Sequence, residues 1–153
     1  MHKQFVWDDK YSVKVPSIDE QHKRFFELTN QILNVLDNPN FSYTQDFNNP
    51  GVTELKKELI RLVVELGNYA FYHLSYEETC MRNFDCSGCD GHTGIHDKYR
   101  EKVKEYLMRV REEGADVYTL AEEIAEFSQN WLSGHILKKD REYIDCLVSN
   151  EVK

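Results

Sequence analysis

Apolar residues recur along this chain at spacings of three and four, the mark of helices that bury one face. Residues 1–17, MHKQFVWDDKYSVKVPS, lack that period and read as an extended arm that ends at Pro16. Ser17-Ile18-Asp19-Glu20 then has the form of a capping box, a hydroxyl with a glutamate three residues on, and predicts a first helix from about 18 to 37. Its apolar stripe is Ile18, Phe25/Phe26, Thr29, Ile32/Leu33 and Leu36, with His22 in phase. Residues 38–52, rich in asparagine and broken by Pro39, Pro50 and Gly51, read as a loop. A second helix over about 53–82 carries Leu55, Leu59, Leu62, Leu66, Tyr69/Ala70, His73 and Glu77 on one face. The stretch NFDCSGCDG is a turn-rich break. A third helix at about 91–113 aligns His92, His96, Tyr99, Val103, Tyr106 and Val110, and Gly114 is its expected stop. The last, about 117–148, aligns Leu120, Ile124, Phe127, Trp131 and His135.

Helices with mostly short connections and no strand alternation predict an all-α chain. Its architecture should be an antiparallel up-down-up-down four-helix bundle with an N-terminal extended arm, in one domain spanning 1–153. The formal charge of −8 argues against nucleic acid and anionic membrane as partners. No apolar run approaches a membrane span, and the opening residues carry acids where an export signal would be apolar. A cytoplasmic monomer with reduced thiols is therefore the expectation for the cysteines at 80, 86, 89 and 146. Cys86-x-x-Cys89 could be a redox pair or half a zinc site. No second close pair completes a zinc site, so these thiols are expected to be dispensable for the main chemistry.

The polar residues on the buried stripes change the picture. His22, His73, His92, His96 and His135 all fall on core faces, as does Glu77. Any one of them could be a core histidine bonded to a carbonyl, but an unpaired carboxylate in a core is costly. His73-x-x-x-Glu77 and His92-x-x-x-His96 each put two metal-binding groups one turn apart on one face. Asp140 is the remaining candidate. It stands five residues after His135, which on a regular helix points it elsewhere, yet the stripe resumes at Asp140, Ile144 and Leu147/Val148 with its phase slipped by one. A single π-type turn between Trp131 and Asp140 would absorb the extra residue and return Asp140 to the core. Inward clusters of this kind are how bundles build metal sites. The imidazole-rich set suits iron better than magnesium or calcium, and seven ligands are too many for one zinc. Five imidazoles, two bridging carboxylates and one bridging solvent oxygen fall one bond short of two octahedral ions, which leaves one position open for a small ligand.

At WDDKYSVKVPSIDEQH, HLSYEE, HTGIH and WLSGHILKKD the chain resembles the hemerythrins, specifically the single-domain bacterial ones, over nearly its whole length. The resemblance implies two iron ions. His92, His96 and His135 would hold one, His22 and His73 the other, and Glu77, Asp140 and a solvent oxo or hydroxo group would bridge them. It further implies reversible dioxygen binding at the open iron, for carriage, storage or delivery to an unidentified oxygen-using client, rather than an enzyme. The alternatives are an oxygen or redox sensor, or a di-iron enzyme acting on peroxide, nitric oxide or damaged iron centres. Against turnover, the chain has no Glu-x-x-His motif of the carboxylate-rich oxidases. Trp131, Leu132 and Ile136 around His135 are expected to form an apolar oxygen pocket.

Overall fold

A computed structural model of the chain describes residues 4–38 and 50–153. Most of the loop expected at 38–52 lies outside them. Four long helices dominate: α1 (Pro16–Leu36), α2 (Pro50–Asn83), α3 (Cys89–Arg111) and α4 (Val117–Lys138). They form the antiparallel four-helix bundle, with no strand among the described residues. α1 packs against both α2 and α4, α3 against α2 and α4, and α2 also meets α4 across the bundle, so the four helices close around a common core. The stripes read from the sequence face inward. Ile18, Phe25, Ile32, Leu55, Leu59, Leu66, Tyr99 and Ile124 are all fully buried.

The helix starts follow local chemistry. α1 opens on Pro16, whose fixed φ and missing N–H suit the first helical position, after the extended residue Val15. The expected capping box does not form. Ser17 turns its hydroxyl to Tyr76 at 3.0 Å. Asp19 instead accepts from the backbone N–H of Val13 at 2.8 Å and from Ser12 at 2.6 Å, which ties the arm to the helix. Further out, Asn30 bonds both backbone groups of Phe5, and the Phe5 ring stacks on Phe26 with centroids 3.8 Å apart. Tyr11, Val13 and Val15 are buried beneath, so the arm is part of the core rather than an appendage. α4 starts where Asp116 accepts from the N–H of Thr119.

The C-terminal segment departs from the sequence reading in kind. α4 does not run to 148 through a π-type turn. It stops at Lys138, a 3-10 turn follows at Asp140–Tyr143, and a short helix α5 (Ile144–Ser149) completes the chain. The N–H of Lys139 still bonds to His135 four residues back, whereas that of Glu142 bonds to Lys139 only three back. The ladder is interrupted within the expected stretch, but by a tighter turn and a fresh helix start instead of a wider one. A change of chain direction returns Asp140 to the core at full burial.

The cysteines also differ from expectation. Cys86 and Cys146 form a disulfide, with Cα atoms 5.8 Å apart, while Cys80 and Cys89 are free thiols. Cys86 follows the end of α2 and Cys146 lies on α5, and the fold brings both to one end of the bundle. Sixty positions separate them in sequence, so spacing alone could not pair them.

Candidate metal centre

All seven predicted ligands converge in the core, and none is more than 6% exposed. α1 supplies His22, α2 His73 and Glu77, α3 His92 and His96, and α4 His135, while the 3-10 turn supplies Asp140. They fall into two groups that share Glu77. One holds Glu77, His92, His96, His135 and Asp140, and the other His22, His73 and Glu77.

The two carboxylates each face both groups. Oε1 of Glu77 lies 3.0 Å from Nε2 of His22 and of His73, and its Oε2 lies 3.4 Å from Nε2 of His96. Oδ1 of Asp140 lies 2.9 Å from His135 and 3.0 Å from His92, and its Oδ2 lies 3.2 Å from His22. The imidazoles also converge on one another. Nε2 of His135 is 3.0 Å from that of His96 and 3.1 Å from that of His92. Donors about 2.1 Å from an ion, at right angles, stand about 3 Å apart.

The pocket is polar and short of partners. Oε2 of Glu77 and Oδ2 of Asp140 are buried with no hydrogen bond, each a costly omission unless something else binds there. Burial alone disfavours every charge in the cluster. At His22 and His92 the facing Asp140 and Glu77 carboxylates outweigh burial and lift the imidazoles to about 9. The surrounding imidazoles, against burial, hold Glu77 and Asp140 well below the usual carboxylate range. At His73 desolvation wins and the pKa falls. Two buried carboxylates ask for compensating positive charge, and imidazole lone pairs around them are suited to a metal that supplies it. The donor set fits metal ions.

Residues that sequence periodicity did not single out orient this cluster. Gln21 Oε1 sits 2.8 Å from Nδ1 of His73, an N–H donation that leaves the Nε2 lone pair facing inward. Glu78 Oε2 lies 3.2 Å from Nδ1 of His96 and is itself held by Arg100. The buried Tyr143 donates its hydroxyl to Oε1 of Glu77 at 3.0 Å. Nothing in the sequence marked Glu78, because an acid one position off the buried stripe reads as a solvated residue. For Tyr143 the only hint was a position three residues after Asp140. Of the expected oxygen pocket, Trp131 is half-buried and stacks on His135, ring centroids 4.4 Å apart and planes within 11°. Leu132 and Ile136 are buried in the core beside it in sequence.

Comparison with known proteins agrees with this geometry. Residues 13–147 match the model of the hemerythrin HHE cation binding domain. Bacteriohemerythrin of Clostridium acetobutylicum is 30% identical over 141 residues, covering 92% of this chain and 99% of that protein. Bacteriohemerythrin of Pseudomonas aeruginosa is 28% identical over 142 residues, 93% of this chain and 80% of that protein. In fold, the crystal structure of a wild-type hemerythrin superposes with a TM-score of 0.73 at 22% identity, covering 95% of this chain and 98% of that one. The histidine and carboxylate cluster and these matches lead to one conclusion: the chain belongs to the hemerythrin family, which binds oxygen at a di-iron centre.

Proposed function

We propose that this protein binds dioxygen reversibly and serves as a carrier, store or delivery protein rather than an enzyme. In this reading His92, His96 and His135 would hold one iron and His22 and His73 the other, and Glu77 and Asp140 would be shared between them. The observation that carries it is the way each carboxylate turns one oxygen to each histidine group. A shared ligand of that kind has no use in a mononuclear site.

When bound, the iron pair supplies a reversible two-electron exchange with dioxygen. The chain's own residues set the conditions for it. Three histidines in one group and two in the other leave the second with fewer protein donors, so a small ligand would bind on the side of His22 and His73. Tyr143 steadies the shared oxygen of Glu77, and Gln21 and Glu78 hold two of the imidazoles in the tautomer that presents Nε2. Trp131, Leu132 and Ile136 keep water and protons away, which limits loss of bound oxygen in reduced form. Among the described residues no helix is long and apolar enough to cross a membrane. The working form in this reading is a cytoplasmic monomer.

Anaerobic titration of the ferrous protein with dioxygen tests the proposal. The expected result is one dioxygen taken up per two irons, with a visible absorption band that disappears when oxygen is removed. Continuous oxygen consumption with a reductant, and no accumulating oxygenated form, would place the protein among enzymes instead.

A further inference from the structure

The disulfide joins the two segments that follow Glu77 and Asp140 in the chain and has no part in the function proposed above. Cys86 follows α2, the helix that carries Glu77, and Cys146 lies on α5, immediately after the turn that supplies Asp140 and Tyr143. The bridge therefore staples the Asp140 segment to the end of the Glu77 helix. A third sulfur follows three residues after Cys86, its thiol 3.8 Å from the carbonyl oxygen of Glu78. Cys89 is a free, half-buried thiol at the first position of α3, in Cys86-Ser87-Gly88-Cys89. That tetrapeptide is a turn, with Gly88 in the left-handed region at φ 82°. The ends of such a turn lie closer than about 7 Å, and disulfides span Cα separations of about 4.4–6.8 Å, so a bridge across it needs at most a small backbone adjustment. Ser87, Gly88 and Asp90 are exposed around it.

We propose that Cys86, Cys89 and Cys146 form a thiol–disulfide exchange site, in which the 86–146 bridge clamps the Asp140 segment and an 86–89 bridge releases it. The Cys89 thiolate attacks Sγ of Cys86. The 86–146 bond breaks as the 86–89 bond forms, and the electron pair leaves on Cys146, which takes up the proton that Cys89 gave up. One disulfide and one thiol exist before and after, so the step needs no external oxidant or reductant. A dithiol carries the site further, giving two electrons and two protons to leave all three thiols reduced. The substrate class is a dithiol, small or proteinaceous. The consequence is that iron held through Asp140 is retained more firmly when 86 and 146 are joined. This last link rests on the ligand reading of Asp140, whereas the exchange itself does not.

Two measurements on the iron-loaded protein test it. In the first, protein equilibrated in mixtures of reduced and oxidised dithiothreitol is alkylated and its disulfides mapped by mass spectrometry. Wild type should show both pairings, Cys146→Ser should oxidise to 86–89, and Cys89→Ser should show 86–146 alone. Pairing through Cys80, or no 86–89 bond in Cys146→Ser, overturns the assignment. In the second, iron loss to a ferrous chelator is timed. Cys146→Ser, and wild type held in the 86–89 form without mutation, should lose iron about tenfold faster than oxidised wild type, with Cys89→Ser as slow as wild type. Equal rates overturn the clamp if Asp140→Asn, run in parallel, does lose iron. Should Asp140→Asn keep its iron, the ligand reading fails and takes the clamp with it, and the mapping alone decides whether exchange occurs.

Discussion

Gln21 and Glu78 illustrate how a side chain outside the donor set governs the donors. Each accepts the Nδ1 hydrogen of one imidazole and thereby fixes both its ring orientation and its free lone pair. Gln21→Leu and Glu78→Gln are expected to weaken iron binding about 10–100-fold while leaving helicity unchanged, as read by metal titration and circular dichroism. Wild-type affinity in both variants would reduce these contacts to packing. Leu132 makes a different case, because it is buried in the core and donates nothing. Leu132→Ala should leave iron content unchanged but speed oxidation of the oxygenated form, followed by decay of its visible band. The same change should cost about 2–5 kcal/mol in stability through the cavity it opens. Unchanged oxidation alongside that cost would remove Leu132 from the oxygen pocket.

At the level of helices and turns, the join between α4 and the 3-10 turn carries the most consequence. Lys139 is the pivot at which the four-residue bonding pattern gives way to the three-residue one, and the chain turns there so that Asp140 meets His92, His135 and His22. Deleting Lys138 rotates Asp140 by about 100° relative to α4. Iron bound per chain should fall clearly below that of wild type, measured by elemental analysis, while the bundle's helicity persists. Full iron occupancy would mean that Asp140 is not needed as a bridge. The arm is packed into the core but supplies none of the donors. Phe5 stacks on Phe26 and is bonded by Asn30. Phe5→Ala should lower unfolding stability by about 2 kcal/mol, less than the ~3–5 kcal/mol for a fully buried phenylalanine, with unchanged iron content.

For the molecule as a whole, the cluster links stability to pH in a way that depends on metal. In the iron-free protein His22 and His92 hold protons up to about 9, against 6.5 when free. Between those values the folded chain binds more protons than the unfolded one, so stability falls as pH rises from 6.5 to about 9. Glu77 and Asp140 act in the opposite sense. Their stabilisation is complete above the ordinary carboxylate values of 4.5 and 3.8 and is lost as pH falls further. Chelator-treated protein should therefore melt several degrees lower at pH 9 than at pH 6, at about 2–4 °C per kcal/mol for a chain of this size. Iron displaces those protons, so the loaded protein should lose that alkaline sensitivity and instead release metal in acid. A higher melting point at pH 9 than at pH 6 without iron would show that the buried imidazoles are neutral.

Periodicity made the bundle legible, because burial of one helical face imposes the three-four spacing locally, whatever the partner helix turns out to be. The same spacing exposed His22, His73, Glu77, His92, His96 and His135, since polar groups on an apolar stripe conflict with simple packing. The absence of strand alternation set the class, and the resemblance at HLSYEE and HTGIH pointed to the family. Other features depend on contacts between segments far apart in the chain. Asp140 was legible as a residue that ought to return to the core, but whether by a wide turn or a tight one was settled by where the chain could go after His135. Ser17 matched a cap and was taken by Tyr76, because a hydroxyl bonds to whichever partner packing brings near. Cys86 and Cys146 read as reduced thiols and are joined, because two segments sixty positions apart meet at one end of the bundle. Local free energies are written in neighbouring residues, whereas a bond between distant ones exists only after the chain has folded to bring them together.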